Sequence, residues 1–355
     1  MTRTQLAAAV ALAAGGLASP AFAAGSSVQL YGLIDLGVSH FSNGSAGETK
    51  MSTGGESGSR IGVRGREALG GGVQAFFQVE TGFCANGSPD KSGYCSGGSF
   101  MGRTSQLGLK GPLGTLQMGR MYTLAFHDQV AVDPFHYGTM GDIANIGLAG
   151  SYSTVPPRFS QAVEYVTPRF GPWSAAAEYQ FGAGEKFPAG TSTTGGYDLH
   201  LGYRSGPGFA NLDYLRVNKS TGGAVSRHAM LSGGYDFGPA TLTAMLARNH
   251  PDDGLGDDLR VELLGLAVPV GRGDVLASYT RLSDQTLADH GARKFAVGYT
   301  YAFSRNVNLY ASYATIRNDS GVFHAVNDSS NNSDLPAGAD GATSTGFDLG
   351  LRTKF

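Results

Sequence analysis

The sequence has little charge and, beyond its N-terminal region, no long apolar segment. Only 15% of its 355 residues are Asp, Glu, Lys or Arg, against about 25% in ordinary soluble domains. A formal net charge of −2 argues against nucleic-acid binding through a general excess of positive charge. No internal stretch approaches the roughly 18 consecutive apolar residues that a transmembrane helix needs. The composition therefore excludes a helical membrane bundle and fits poorly with an ordinary soluble domain.

Glycine, in contrast, is abundant, with 55 residues. Each glycine in a helix interior costs about 1 kcal/mol relative to alanine, so a helix-rich fold is disfavoured. The glycines follow no three-residue period, which excludes a collagen-like chain. With 41% hydrophobic residues the chain can still bury apolar surface, and we expect an all-β fold.

The N-terminal region has the pattern of a secretory signal peptide. A short segment that contains Arg3 precedes the apolar run Leu6–Leu17, and Ala21-Phe22-Ala23 resembles a cleavage site. We therefore predict a signal peptide at residues 1–23 and one exported domain at residues 24–355.

The two cysteines are Cys84 and Cys95, which flank a segment rich in Gly, Ser and Pro. In an oxidising compartment such a pair predicts a disulfide that closes one loop. A metal site at these thiols is disfavoured, because no nearby His or second cysteine pair completes a tetrahedral ligand set.

Apolar and polar residues alternate with a period of two through most of the chain. From Phe295 to Phe303 every odd-numbered residue is aromatic or aliphatic, whereas the even-numbered residues between them are Ala, Gly and Thr. This period is typical of β-strands with one apolar face and one polar face.

Sixteen such segments can be identified, and the connections between them alternate between short and long. Seven are tight turns and eight are longer loops, of which the first is expected at 42–56 and the longest, the third, at 122–158. This alternation predicts an antiparallel up-and-down β-barrel of sixteen strands. A barrel of that width leaves an aqueous lumen, so the polar face is expected inside and the apolar face towards lipid.

Several motifs resemble those of general bacterial porins, in particular the Gram-negative trimeric porins of Neisseria and Burkholderia relatives. They are Val28-Gln29-Leu30-Tyr31-Gly32, Ser59-Arg60-Ile61-Gly62-Val63-Arg64-Gly65, Gln106-Leu107-Gly108-Leu109 with Gly119-Arg120, Tyr299-Thr300-Tyr301-Ala302-Phe303-Ser304 and the terminal Phe355. The resemblance spans the whole mature chain in order. It implies a homotrimer in the outer membrane whose third loop folds into each barrel and narrows it.

The resemblance also implies which charged residues line this constriction. In such porins arginines on the barrel wall oppose acids on the third loop. The arginines that the resemblance implies are Arg60, Arg103 and Arg158, and the acids chosen are Asp128 and Asp133. Alternation with Ile61 and Val63 also turns Arg64 inward, and Arg120 is a further candidate, with a structural role near a turn as its alternative. Simple alternation with Leu107 and Leu109 would turn Arg103 outward unless the strand is bulged or faces a neighbouring subunit.

The expected function is passive diffusion of small hydrophilic solutes and ions, with a weak preference for anions. A substrate-specific channel, an outer-membrane barrel enzyme and a surface adhesin are the alternatives. The eight histidines are scattered and fit no catalytic signature. We therefore expect no catalytic activity, no cofactor, no resident metal and no nucleic-acid partner. The expected partners are a homotrimer, outer-membrane lipid and lipopolysaccharide.

Overall fold

A computed structural model describes residues 25–44, 46–87, 100–146, 156–182, 193–219, 225–251, 258–286, 289–327 and 337–355. The strands are β1 (Ser27–Asn43), β2 (Ala46–Thr53), β3 (Arg60–Gly70), β4 (Val73–Gly82), β5 (Thr104–Gly111), β6 (Gly114–Tyr122), β7 (Arg158–Val166), β8 (Trp173–Gln180), β9 (Thr193–Ser205), β10 (Gly208–Lys219), β11 (Val225–Asp236), β12 (Thr241–Pro251), β13 (Leu259–Val270), β14 (Gly273–Asp284), β15 (Ala292–Ala302), β16 (Val307–Asn318) and β17 (Thr343–Lys354). The helical elements are α1 (Leu124–Val132) and a 3-10 turn (Ile143–Asn145).

β2 and β3 both pair antiparallel with β1, and every other strand pairs antiparallel with its neighbour along the chain. The sheet closes on itself between β1 and β17. The closing register runs from Leu33 opposite Lys354 to Asn43 opposite Ser344. Gly32 and Phe355 then exchange two backbone hydrogen bonds of 3.1 and 3.0 Å. β2 and β3 pair in succession with the same strand, β1, and so occupy a single position in the barrel. The seventeen strands therefore fill sixteen positions, and the predicted closed antiparallel barrel of sixteen strands is confirmed.

The prediction of a loop at 42–56 is wrong, because most of that segment forms strands. β1 continues to Asn43, and β2 returns beside it before the chain breaks and resumes as β3. Asp35, which is fully buried, holds this break: its Oδ2 accepts the backbone N–H groups of Glu56 at 2.9 Å and Ser57 at 2.8 Å. The alternation signal was lost there because the strand is interrupted.

The two faces of the barrel alternate as expected, although the inner face is not uniformly polar. Along β15 burial alternates residue by residue from Ala292 to Tyr299, and Phe295, Val297 and Tyr299 are exposed on the outside. On β11–β16, by contrast, several inward side chains are apolar. They are Met230, Met245, Ala247, Leu259, Val261, Leu263, Leu282, Ala292, Ala296, Ala314 and Ile316.

These inward apolar side chains pack against the connection between β6 and β7. Val132, Phe135, Met140, Ile143 and Ile146 of that connection belong to the same buried cluster. The described part of the connection therefore lies inside the barrel, where its apolar residues are shielded from lumenal water.

Two expectations fall on residues outside the described ranges. The signal peptide, residues 1–23, is one, and Cys95 is the other. Cys84 follows β4 and is not a free thiol, but its pairing with Cys95 stays a prediction. No helix in the described ranges is long and apolar enough to span a membrane.

Tyr310 fills a space near the closure of the barrel that only glycine leaves open. Its side chain is 1% exposed, and its hydroxyl donates to Asp35 Oδ1 at 2.7 Å. A Cβ atom placed on Gly350 would lie 2.2 Å from the phenol oxygen, and one on Gly55 would lie 2.5 Å from it. These glycines are therefore required by the close approach of a large ring.

We expect Gly350→Val to destabilise the barrel by about 1–3 kcal/mol, the usual cost of overpacking. Urea unfolding in detergent micelles, followed by fluorescence of the single tryptophan, Trp173, measures this change. Ala311→Val, which adds two methyl groups to the outer face of β16, is the control. Equal unfolding midpoints for the two variants would contradict the packing argument.

Candidate functional site

Arginines converge on one carboxylate of the inner wall. Glu80, on β4, is 2.7 Å from Arg103 Nε and 3.8 Å from Arg60 Nη1, measured from its Oε1 atom. Its Oε2 accepts a hydrogen bond of 3.0 Å from the hydroxyl of Tyr31 on β1. The side chains of Arg103 and Glu80 are 4% and 5% exposed, whereas that of Arg60 is 19% exposed.

Tyr122, at the end of β6, joins this group to Arg158. Its hydroxyl accepts hydrogen bonds from Arg103 Nη2 at 2.7 Å and from Arg158 Nη2. The Arg158 guanidinium also lies 4.0 Å from the centre of the Tyr122 ring, a favourable cation–π contact. Phe126 of α1 stacks on the same ring with 4.8 Å between ring centres. Arg60, Arg103, Arg158, Glu80 and Tyr122 are called the arginine cluster below.

The cluster carries more positive than negative charge. It contains three guanidiniums and one carboxylate: two of the guanidiniums pair with Glu80, and the third contacts Tyr122. Guanidiniums remain ionised at any relevant pH. No acceptor in the described part of the chain reaches Arg158 Nε. The geometry therefore gives this part of the wall a local excess of positive charge, which attracts anions.

Arg103 points into the barrel, although alternation with Leu107 and Leu109 would turn it outward. It precedes β5, which begins at Thr104, and so is not bound by the alternation of the strand. Its backbone N–H donates to the carbonyl oxygen of Glu80 at 3.2 Å. The inward direction of Arg103 therefore requires neither a bulge in β5 nor a contact with a neighbouring subunit.

Two further predicted arginines lie near the cluster but outside its central contacts. Arg64 donates from Nε and Nη2 to Gln29 Oε1 at 3.0 and 2.8 Å. Arg120 donates to the carbonyl oxygen of Gly102 and to Ser160 Oγ, both at 2.6 Å. The sequence thus identified an arginine-rich wall, whereas the structure separates its members into distinct contacts.

The two predicted acids do not face these arginines. Asp128 Oδ2 lies 2.6 Å from Nδ1 of His200 on the barrel wall, and its Oδ1 accepts a hydrogen bond of 2.7 Å from Asn211. Asp133 turns into its own loop and accepts backbone N–H groups from Phe135 at 3.0 Å, Tyr137 at 3.1 Å and Ile143 at 3.2 Å.

Burial explains why Asp133 has this role. Its side chain lies in the interior of the loop at 1% exposure, and this burial raises the pKa of its carboxyl above the usual range despite the three N–H donors. Asp133 therefore holds the loop in shape rather than presenting charge to the lumen.

Sequence reasoning missed Glu80 and Tyr122. Glu80 shares the inward face of β4 with Gln78 and Gln74, so alternation alone could have assigned it to the lumen. Its position between two arginines depends on pairing across strands, which a single sequence does not reveal. No motif or alternation pattern in the sequence indicates a role for Tyr122.

Comparisons with known proteins agree with this architecture. A family model described as Gram-negative porin matches residues 7–321. Outer membrane porin protein 32 of Delftia acidovorans is 31% identical over 313 residues, covering 85% of this chain and 87% of that protein. The major outer membrane protein P.IB of Neisseria meningitidis serogroup B is 29% identical over 304 residues, covering 84% and 78%.

A solved structure shares the fold across nearly the whole chain. The anion-selective porin from Comamonas acidovorans superposes with a TM-score of 0.80 at 26% identity, covering 93% of this chain and 100% of that chain.

Replacing Asp133 by Ala should loosen the third loop, because three buried N–H groups lose their acceptor at about 1–3 kcal/mol for an unsatisfied group. Chymotrypsin should then cut faster near Phe126, Phe135 and Tyr137 in the folded protein, as mass spectrometry of the fragments would show. Asp133→Asn retains one acceptor oxygen and should be cut at an intermediate rate. Asp274→Ala, near a short turn, serves as control; if it is cut as fast as Asp133→Ala, the anchoring role is refuted.

Proposed function

The chain belongs to the Gram-negative porin family, and on that premise we propose that the arginine cluster makes its outer-membrane diffusion channel selective for small anions. Porins of this family are passive channels, and we propose that this chain catalyses no reaction. The observation that carries the proposal is the arginine cluster, in which Arg60 and Arg103 pair with Glu80 and Arg158 joins them through the Tyr122 hydroxyl.

A local excess of positive charge lowers the energy of an anion and raises that of a cation, while the flow remains passive. The lumenal field depends on charges within about 10 Å at 0.1 M salt, so the cluster outweighs the net charge of the chain, −2. The described part of the third loop adds Asp128, Asp133 and Asp142, and none of them pairs with the arginines of the cluster. The loop therefore does not neutralise the cluster.

Further arginines extend the positive wall towards the short turns. Arg60, Arg64 and Arg66 occupy the same inward face of β3, and six residues of strand span about 20 Å. Arg64 and Arg66 line a cavity of about 640 Å³ together with Lys110. An anion that leaves the cluster thus meets a second basic region before the end of the barrel.

The constriction is proposed to lie between this wall and the loop at 122–158. Phe126 of α1 stacks on Tyr122, and the distal part of the loop is anchored where Ser312 Oγ accepts the backbone N–H of Met140 at 3.0 Å. The loop thus contacts the wall at two separate positions, which supports a fixed narrowing.

We propose a homotrimer assembled through the outer face of β1–β5. Within the described residues this face carries no Lys or Arg, and its exposed side chains include Val28, Leu30, Val38, Leu107 and Leu109. The resemblance to trimeric porins implies the same assembly. A separate outer region carries many arginines, and we propose that it faces the headgroups of the surrounding lipid.

That basic region has one outward arginine on each of seven consecutive strands, β10–β16. They are Arg216, Arg227, Arg248, Arg260, Arg281, Arg293 and Arg317. All lie near the ends that carry the longer loops, and the register places Arg248 opposite Arg260 and Arg293 opposite both Arg281 and Arg317. We propose that this belt binds the phosphate groups of lipopolysaccharide.

The selectivity proposal is tested by the reversal potential in planar bilayers under a salt gradient. Arg60→Gln, Arg103→Gln and Arg158→Gln should each lower the anion-to-cation permeability ratio by up to about fivefold. A unit charge at 4 Å contributes about 1 kcal/mol in a water-like medium. Arg169→Gln, in a short turn, is the control, and channel openings in groups of three would support the trimer. An unchanged reversal potential in the triple variant would refute the assignment.

The belt proposal is tested by native mass spectrometry of the channel with lipid A. We expect Arg281→Glu combined with Arg293→Glu to reduce the bound fraction several-fold, because two attractive contacts become repulsive. Arg305→Glu, in the short turn between β15 and β16, is the control. Dephosphorylated lipid A should bind equally to the unaltered protein and to the Arg281→Glu/Arg293→Glu variant. If it still binds the unaltered protein better, recognition of phosphate by the belt is contradicted.

A further inference from the structure

The inner wall beneath α1 holds a row of buried carboxylates that the conduction path does not use. Glu164 on β7 is directly opposite Glu178 on β8, and Glu178 is opposite Asp198 on β9. Their exposed fractions are 4%, 1% and 0%. Three acids in register on adjacent strands repel one another when ionised.

A second group of ligand-type side chains lies beside this row. Nδ1 of His200 is 2.6 Å from Asp128 Oδ2 and 3.2 Å from Asp213 Oδ1. One candidate ligand atom from each of the three residues lies within 4.8 Å of the others. Asp198 interacts electrostatically with both Asp128 and His200, which connects the row of acids to this group.

The positive charge available to these five carboxylates is small. In the described ranges, His200 is the only basic side chain that pairs with any of them. The other donors are neutral: Gln117 donates to Glu164 at 2.7 Å, and the backbone N–H of Ala125 donates to Asp198 Oδ2 at 2.8 Å.

Several of the carboxylate oxygens are buried without a hydrogen-bond partner. They are Glu178 Oε1 and Oε2, Asp198 Oδ1 and Asp213 Oδ2. The Asp213 side chain is 0% exposed. An ionised carboxylate buried in this way is costly unless a cation or a proton neutralises it. The unpartnered oxygens are thus an observation, separate from the acidic cluster itself, that points to a cation-binding site.

We propose that Asp128, His200 and Asp213 bind one divalent transition-metal ion, with Asp198 and Glu178 adding negative charge around it. One imidazole nitrogen with carboxylate oxygens is a mixed ligand set that suits Zn²⁺ or Mn²⁺ better than a purely hard or purely soft ion. His200 must present an unprotonated Nδ1 to the ion. Asp128 and Asp213 bind as carboxylates.

The ion would join the third loop to the barrel. Asp128 lies on α1, whereas His200 and Asp213 lie on β9 and β10. The N-terminal end of the same helix is already held by Asp198 through the N–H of Ala125. A metal at this position therefore fixes α1 at a second position against the wall.

The test uses the untagged full-length channel in detergent, stripped with a chelator and titrated with Zn²⁺ alone. We expect about one tightly bound Zn²⁺ per chain, counted by plasma mass spectrometry after dialysis. Asp213→Asn and His200→Gln should each weaken binding by about tenfold or more. His40→Gln, which removes an exposed histidine on the outer face, should leave it unchanged.

A second readout follows the loop rather than the metal count. Zn²⁺ should slow chymotrypsin cleavage near Phe126 in the unaltered protein and have no effect on Asp213→Asn. Both measurements are independent of channel current, so failure of the anion-selectivity proposal would not affect them.

Two results would overturn the metal proposal. The first is that the unaltered protein retains no more Zn²⁺ than the Asp213→Asn/His200→Gln double variant. Protons rather than a metal would then neutralise the cluster. The other is Ca²⁺ binding in preference to Zn²⁺ with no dependence on His200, which would place a cation elsewhere.

Discussion

The hydrogen bonds between β1 and β17 are the constraint on which the rest of the structure depends. A sheet in lipid has no water to satisfy an open edge, so its first and last strands must pair. Here the pairing extends from Leu33–Lys354 to Asn43–Ser344 and is completed by Gly32 and Phe355. Once the edge is closed with sixteen strand positions, the interior is too wide for wall side chains to fill. A lumen is the consequence, and a loop can enter it.

The third loop enters that lumen with two different surfaces. Its distal part, around Phe135 and Met140, packs on apolar side chains of β11–β16. Its helix instead places Asp128 against His200 and Asp213. The acids of the loop are thereby turned towards the wall or, in the case of Asp133, into the loop itself. Within the arginine cluster, Glu80 is the acidic contact of Arg60 and Arg103, and Arg158 contacts Tyr122. The proposed anion selectivity depends on this imbalance of charge.

Much of this could be predicted from one sequence. The alternation from Phe295 to Phe303 reports directly which side of the sheet each residue faces. Arg60 and Arg158 lie on the inner wall, and their role in a constriction stays a prediction. The direction of Arg103 does not follow from alternation, because it precedes the regular strand. The strand β2 was not predicted, and a loop was expected at 42–56 instead, because an interrupted strand loses its period. Pairing partners such as Glu80 depend on register between strands, and a single alternating sequence does not encode register uniquely.

The sequence by itself determined the strands, their order, the short and long connections and the sidedness of each strand, because these are local properties with a fixed period. Only the tertiary structure decided which charges meet. Asp128, His200 and Asp213 follow no motif in the sequence. Nevertheless, one candidate ligand atom from each of them lies within 4.8 Å of the others. Low charge content thus describes a wall between lipid and water, whereas the position of each remaining charge depends on closure of the barrel and on the path of its third loop.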